Sequence, residues 1–207
     1  MNLIQILFLI AIFGHLLCGC CDCLLTYVPG GAKFEIKQMS DNQAMSETFK
    51  KMPLRNTTLS MVLGCLALLM CSAGYFGVYL WIKPNSIVYA IIILIASALF
   101  FIPGTAHHVF CGVAEWFYIR LGRTEEARKA VLQFFRETSI TMIACYIGSV
   151  VFGVTLFIAV LSGETSAPRW ACIFNMIPLY LVLAPFRIGG SGNWSSALMF
   201  LGLLFLI

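Results

Sequence analysis

The sequence predicts an all-α, polytopic integral membrane bundle of about six transmembrane helices, and three observations predict it. First, hydrophobic residues fill 60% of the 207 positions and charged residues only 11%, with a mean hydropathy of +0.93. Soluble domains run near 45–50% apolar and about 25% charged, so this chain could not cover itself with polar surface in water. Second, the apolar residues gather into stretches close to the roughly 20 residues that a bilayer-crossing helix needs. Third, the basic residues alternate between successive loops, as they do in multi-pass membrane proteins.

The stretches lie at about 2–27, 57–81, 87–119, 138–162 and 170–186, with a shorter one at 194–207. The last ends inside its hydrophobic run, so a polar tail is expected to follow Ile207. The loop at 28–55 carries Lys33, Lys37, Lys50, Lys51 and Arg55, and the next carries only Lys83. The loop at 120–136 again carries five cations, Arg120, Arg123, Arg128, Lys129 and Arg136, whereas the last two hold Arg169 and Arg187. Cytoplasmic loops collect Lys and Arg, so the N-terminus is expected outside, with loops 28–55 and 120–136 cytoplasmic. Trp81, Trp116, Trp170 and Trp194 fall near span ends, where amphipathic rings favour the interface. The formal charge of +4 therefore reads as topology and contact with anionic lipid; no nucleic-acid partner is implied.

The first stretch is not read as a cleaved signal peptide, because Met1 to Gln5 holds no Lys or Arg and a signal n-region is basic. The nine cysteines do not suggest disulfides. Cys18, Cys20, Cys21 and Cys23 occupy the predicted cytoplasmic half of the first span, a reducing setting, and the others are scattered through apolar helices. There Cys serves as a small packing residue, although Cys18/Cys21 and Cys20/Cys23 are formally overlapping CxxC pairs.

Comparing the chain with itself yields an internal repeat. His15-Leu-Leu-Cys18-Gly19-Cys-Cys-Asp22 in the first span matches His108-Val-Phe-Cys111-Gly112-Val-Ala-Glu115 in the third. Arg55-Asn-Thr57-Thr-Leu-Ser-Met61-Val then matches Arg136-Glu-Thr138-Ser-Ile-Thr-Met142-Ile in the same order. The expected organisation is a single transmembrane domain: repeat one about 1–83, repeat two about 84–163, and a remainder 164–207. A hairpin returns to its starting side, so the repeat is parallel. Pro84 and Pro168, each ahead of an odd-numbered span, hint at a degenerate third hairpin.

Ionisable residues inside a membrane cost a few kcal/mol each and usually face a protein interior. All three histidines, His15, His107 and His108, fall in predicted spans together with Asp22 and Glu115. Each His-to-carboxylate spacing of seven residues is two turns, about 10 Å along one helix face. Counted from the cytoplasmic ends of their spans, both motif histidines lie about 18–20 Å deep and both carboxylates about 8–9 Å deep. The expectation is that His15 faces His108 and Asp22 faces Glu115. His107 has no counterpart in the repeat and ranks below His108; Asn175 is a further buried polar candidate. Pro103-Gly104 should kink or break the third span, and a break at that depth points to a cavity beside His107 and His108. Residues 124–136 read as an interfacial amphipathic helix capped by Thr124, and residues 33–53 as a polar surface segment.

Three functions fit this pattern. Paired His and carboxylate groups suit binding or transport of a small ligand, proton or cation. Histidines and acids could instead hold a divalent metal, falling to His15, His108, Asp22 and Glu115, in an intramembrane lipid-modifying enzyme. In residue kit this resembles the alkaline-ceramidase and adiponectin-receptor class of seven-helix hydrolases, a resemblance that implies zinc on three histidines. The His-x-x-x-His pair of that class is absent here, and His107 and His108 are adjacent. The third function is a structural or assembly protein with polar residues as helix glue. No phosphate loop, nucleophile elbow or zinc-finger spacing is present.

Overall fold

The computed structural model describes residues 1–207 and is almost wholly helical. Helix α1 (Leu3–Thr26) opens on a capping box, in which Asn2 Oδ1 accepts from the Gln5 amide at 2.9 Å and Gln5 Oε1 from the Asn2 amide at 3.0 Å. A two-residue hairpin follows, with β1 (Tyr27–Val28) antiparallel to β2 (Ala32–Lys33). Gly30 and Gly31 make its turn at φ of 101° and 93°, where a side chain would be strained. The short α2 (Asn42–Phe49) is capped by Asp41. Three long helices come next: α3 (Leu54–Ile82), α4 (Ile87–Arg120) and α5 (Glu125–Ser162). A 3-10 turn at Arg169–Ile173 leads to α6 (Met176–Leu183) and α7 (Ser191–Leu204).

Four helices, α1, α3, α4 and α5, are long and apolar enough to cross a membrane. Their outward faces carry large apolar side chains, including Leu69 at 69% exposure and Ile102 at 74%. Such continuous apolar surface suits lipid and not water. The fifth and sixth predicted spans form helices of only 8 and 14 residues, about 12 and 21 Å long at 1.5 Å per residue. Pro185, in a 3-10 turn after α6, and the turn at Gly189–Gly190 interrupt that part of the chain. Even so, α7 lies antiparallel along α1: Asn193 sits beside His15 and Asp22, and Gln5 Nε2 donates to the Ile207 carbonyl at 2.8 Å.

The helices are arranged α7, α1, α3, α4, α5, with α6 lying between α5 and α7. Tyr75 of α3 sits fully buried among Phe100, Phe101, Phe152 and Phe200, at ring separations of 4.3–5.6 Å. Close approach depends on glycine. A Cβ on Gly14 would meet the α3 backbone at Cys71 at 2.7 Å, and one on Gly148 would meet the α4 backbone at Phe100 at 2.5 Å.

Two sequence expectations change here. Helix α4 runs unbroken through Pro103, and Thr105 Oγ1 donates back to the Phe101 carbonyl at 2.8 Å on the adjoining turn. Residues 125–136 are not a separate surface helix but the first three turns of α5, which is 38 residues long. At roughly 57 Å by helical rise, α5 outruns the roughly 30 Å hydrocarbon layer. The α4–α5 hairpin therefore overhangs the end of α1, and residues 34–54 fold against the overhang. Met45, Phe49 and Met52 pack there on Ala114, Tyr118, Ala127 and Val131. Arg123 Nε donates to the Phe49 carbonyl at 3.0 Å, and Arg128 Nη1 to the Met39 carbonyl at 2.7 Å. This is the basic end of the molecule.

Candidate functional site: a buried polar line at Asp22 and His108

Four helices contribute. Helix α1 presents Cys18 and Asp22 one turn apart, hence on one face; α3 presents Ser60 and Gly64, again one turn apart; α4 presents His108, and α7 presents Asn193. Gly64 makes the arrangement possible, because a Cβ there would overlap the His108 ring at Nε2 and Cδ2. The bare backbone lets the imidazole lie flat on α3.

The side chains form one polar line, hydrogen-bonded on either side of an ion-pair contact between Asp22 and His108. Asn193 Nδ2 donates to Asp22 Oδ2 at 2.7 Å, which leaves Asn193 Oδ1 as an acceptor for His15 Nδ1 at 2.9 Å. His15 Nδ1 therefore carries a hydrogen. On the other side of Asp22, Oδ1 faces His108 Nδ1 at 3.5 Å, an ion-pair distance that is long for a hydrogen bond. His108 Nε2 lies 3.1 Å from the Ser60 carbonyl and 3.4 Å from Ser60 Oγ. That hydroxyl spends its own hydrogen on the Cys21 carbonyl at 2.9 Å, so both Ser60 oxygens face Nε2 as acceptors and Nε2 also carries a hydrogen. His108 Nδ1 is left looking at a carboxylate.

The surroundings are mostly dry. His15 is 1% exposed, held between Tyr75 and Phe200 with ring centroids 5.8 Å away on each side, and its Nε2 has no partner. Cys18 is 1% exposed, whereas the Asp22 side chain keeps 27% of its surface open and that of His108 10%. No Lys or Arg reaches this line. The Cys18 sulfur, an Asp22 oxygen and a His108 nitrogen lie within 4.8 Å of one another.

The partners differ from those expected by counting turns. His15 does not face His108; Asn193 and Asp22 stand between them. Asp22 opposes His108 because the α4–α5 overhang shifts α4 toward the basic end relative to α1. Glu115, two turns beyond His108, is buried at 8% exposure with Oε2 unpartnered and stands apart from Asp22. His107 turns away, 3.7 Å from Cys111 Sγ and near the Phe135 ring. Asn175 caps α6 through the Ile177 amide at 3.0 Å and donates to the Gly153 carbonyl at 2.9 Å, so both ends of its amide serve the fold.

Sequence reasoning read Cys18 as a packing residue, with a metal or redox role in a CxxC pair as the lesser alternative, and passed over Ser60, Gly64 and Asn193. The spacing of four between Cys18 and Asp22, and again between Ser60 and Gly64, could have flagged two of these pairs as shared faces. Nothing local points from Asn193 to Asp22, which is 171 residues away.

The family model described as "Family of unknown function (DUF6796)" matches residues 1–207. The chain belongs to that family. No curated protein matches it, and no solved structure does.

Proposed function

We propose that this multi-pass membrane protein binds a small cation at Asp22 and His108, in the basic-end half of the bundle, and carries or senses it there. The observation behind this reading is the line His15–Asn193–Asp22–His108–Ser60. A carboxylate inside a membrane costs a few kcal/mol, no basic side chain from Lys or Arg compensates it, and it is fixed from one side by Asn193. Its other oxygen and His108 Nδ1 stand 3.5 Å apart, with a partly open approach along Asp22.

In this reading the basic end is cytoplasmic, the N-terminus is outside, and Lys33, Lys37 and Arg187 touch anionic lipid. The short α6 and α7 form a third hairpin that closes the ring, giving six passages in all. The α1–α3 and α4–α5 pairs are the two copies of the repeat, each joined by a glycine contact (Gly14 and Gly148). The ligand site then lies where the copies meet, as in other duplicated bundles.

A structural role has one observation in its favour: the same contacts tie α7 to α1, and α4 to α1 and α3. Asp22→Asn separates the two readings, since an amide of the same shape keeps the contacts and loses the charge. Thermal unfolding of detergent-purified protein would be followed against chlorides of sodium, potassium, magnesium, calcium, manganese and zinc. A cation at a hundred times its Kd stabilises by about 2.7 kcal/mol. The expected result is a saturable upward shift with at least one cation that Asp22→Asn abolishes. Equal responses of the two proteins to every cation would leave only the structural role.

A further inference from the structure

The reading above leaves the cation unspecified, and the donor atoms specify it. We propose that Cys18, Asp22 and His108 form a three-ligand site for a transition-metal dication of the zinc type, a proposal that rests on the cation-binding reading. A sulfur, a carboxylate oxygen and an imidazole nitrogen lie within 4.8 Å of one another on two helices. Tetrahedral zinc takes sulfur at about 2.3 Å and nitrogen or oxygen at about 2.0–2.2 Å, which sets ligand-to-ligand edges of about 3.3–3.6 Å. The Asp22–His108 edge is 3.5 Å. The edges to sulfur, within 4.8 Å, close to about 3.6 Å when the metal binds.

The outer contacts are those such a site requires. A metal-bound imidazole donates its other N–H to a carbonyl or carboxylate, which fixes the tautomer and the ring plane. His108 Nε2 does this toward the Ser60 carbonyl at 3.1 Å, leaving the Nδ1 lone pair for the metal. Ligating carboxylates are hydrogen-bonded in turn, and Asp22 Oδ2 accepts from Asn193, whose own oxygen is held by His15. Every ligand but the thiol is thus aimed by a neighbour. Cys18 needs no such partner, because packing alone fixes a side chain with one rotatable bond to its sulfur.

Charge argues for a dication. A thiolate, a carboxylate and a neutral imidazole sum to two negative charges, so a divalent ion leaves the centre neutral, which a low-dielectric interior favours. On binding, the Cys18 thiol gives its proton to solvent. Donor softness argues against calcium and magnesium, which take oxygen ligands, and for zinc and its neighbours. Three protein ligands leave a fourth position, and the 27% open side chain of Asp22 marks where water or an exchanging ligand would enter.

The test uses the full chain in detergent. Zinc content would be measured after expression in zinc-supplemented medium, and cobalt would replace zinc after chelation. Near-stoichiometric zinc is expected, with a cobalt complex showing thiolate charge-transfer and tetrahedral d–d bands. Cys18→Ser should remove the charge-transfer band, whereas Cys20→Ser, at an exposed cysteine, should keep it. Asn193→Ala should weaken the metal about 10–100-fold as an outer-contact change. Wild-type protein that neither holds nor takes up zinc or cobalt overturns the proposal, as does a charge-transfer band that survives Cys18→Ser. If zinc fails while sodium or magnesium gives a saturable shift dependent on Asp22, the metal assignment falls and the cation-binding reading stands. These wild-type measurements decide the matter even where a ligand variant does not fold.

Discussion

Replacing Gly64 with alanine tests whether His108 is seated as described. Alanine in place of glycine inside a helix ordinarily stabilises by about 0.8–1 kcal/mol. Here the new methyl would overlap the imidazole at Nε2 and Cδ2, and the ring cannot retreat without leaving the Ser60 carbonyl at 3.1 Å and Asp22 at 3.5 Å. Forcing a methyl into a packed interior costs about 1–3 kcal/mol, and an unmade hydrogen bond to a buried group about 1–3 kcal/mol more. After the helix-propensity gain, Gly64→Ala should destabilise by about 1–5 kcal/mol.

The assay is equilibrium unfolding in mixed micelles, followed by circular dichroism, with two controls. Gly192 has nothing within 4 Å of its would-be Cβ and no positive φ, so Gly192→Ala should change stability by less than about 1 kcal/mol. In a His108→Ala background the ring is gone, and Gly64→Ala should become neutral or stabilising. The resulting coupling of at least about 1 kcal/mol is of the size found for residues in contact. If Gly64→Ala costs as much without the imidazole as with it, His108 does not lie on α3 and the polar line fails at its last link, from His108 to Ser60.

Three further substitutions probe the surroundings, beside the Asp22→Asn comparison. Arg123→Ala releases the Phe49 and Lys50 carbonyls, at 3.0 and 3.4 Å, so trypsin should cut after Lys50 and Lys51 several-fold faster. Unchanged cleavage would mean that the 34–54 cap is held by its apolar contacts and the Arg128 and Tyr118 bonds without help from Arg123. Glu115→Gln replaces a buried carboxyl whose Oε2 has no partner with a neutral group of equal shape, so stability should hold or rise. A fall of more than about 2 kcal/mol would show that the carboxyl has a partner absent from this geometry. Asn175→Ala removes a helix cap and the side-chain bond to the Gly153 carbonyl, at about 1–3 kcal/mol. Amide exchange across α6 should quicken while cation binding is unchanged; weakened binding would move Asn175 into the site.

The membrane class was legible in composition because a bilayer imposes its requirement on every residue of a span. The lengths of the spans were less legible, since a membrane boundary is not a helix boundary. Residues 125–136 are charged and lie ahead of the apolar stretch, yet Glu, Ala, Arg, Lys, Leu and Gln are strong helix formers, so α5 runs through both as one helix. The last two stretches have the hydropathy of a span, yet their α-helix covers only Met176–Leu183 and Ser191–Leu204, with Pro185 and the Gly189–Gly190 turn between them.

The site illustrates the same distinction at the level of single residues. His15, Asp22 and His108 were visible because an ionisable side chain in an apolar run stands out whatever its partners are. Which of them would meet depended on relative helix depth, and that depth is set by the overhang, where Phe49 and Met52 pack against Tyr118 and Val131. Glu115 shares Asp22's position in the sequence motif, yet it lies beyond the plane where α1 and α7 offer donors and has no partner for Oε2. Identical spacing thus yields one engaged carboxylate and one that is only buried. Two like carboxylates in matched surroundings would have suggested a symmetric centre. The asymmetry instead concentrates the chemistry on one side, where Cys18 adds a sulfur donor that the motif's second copy does not bring to His108.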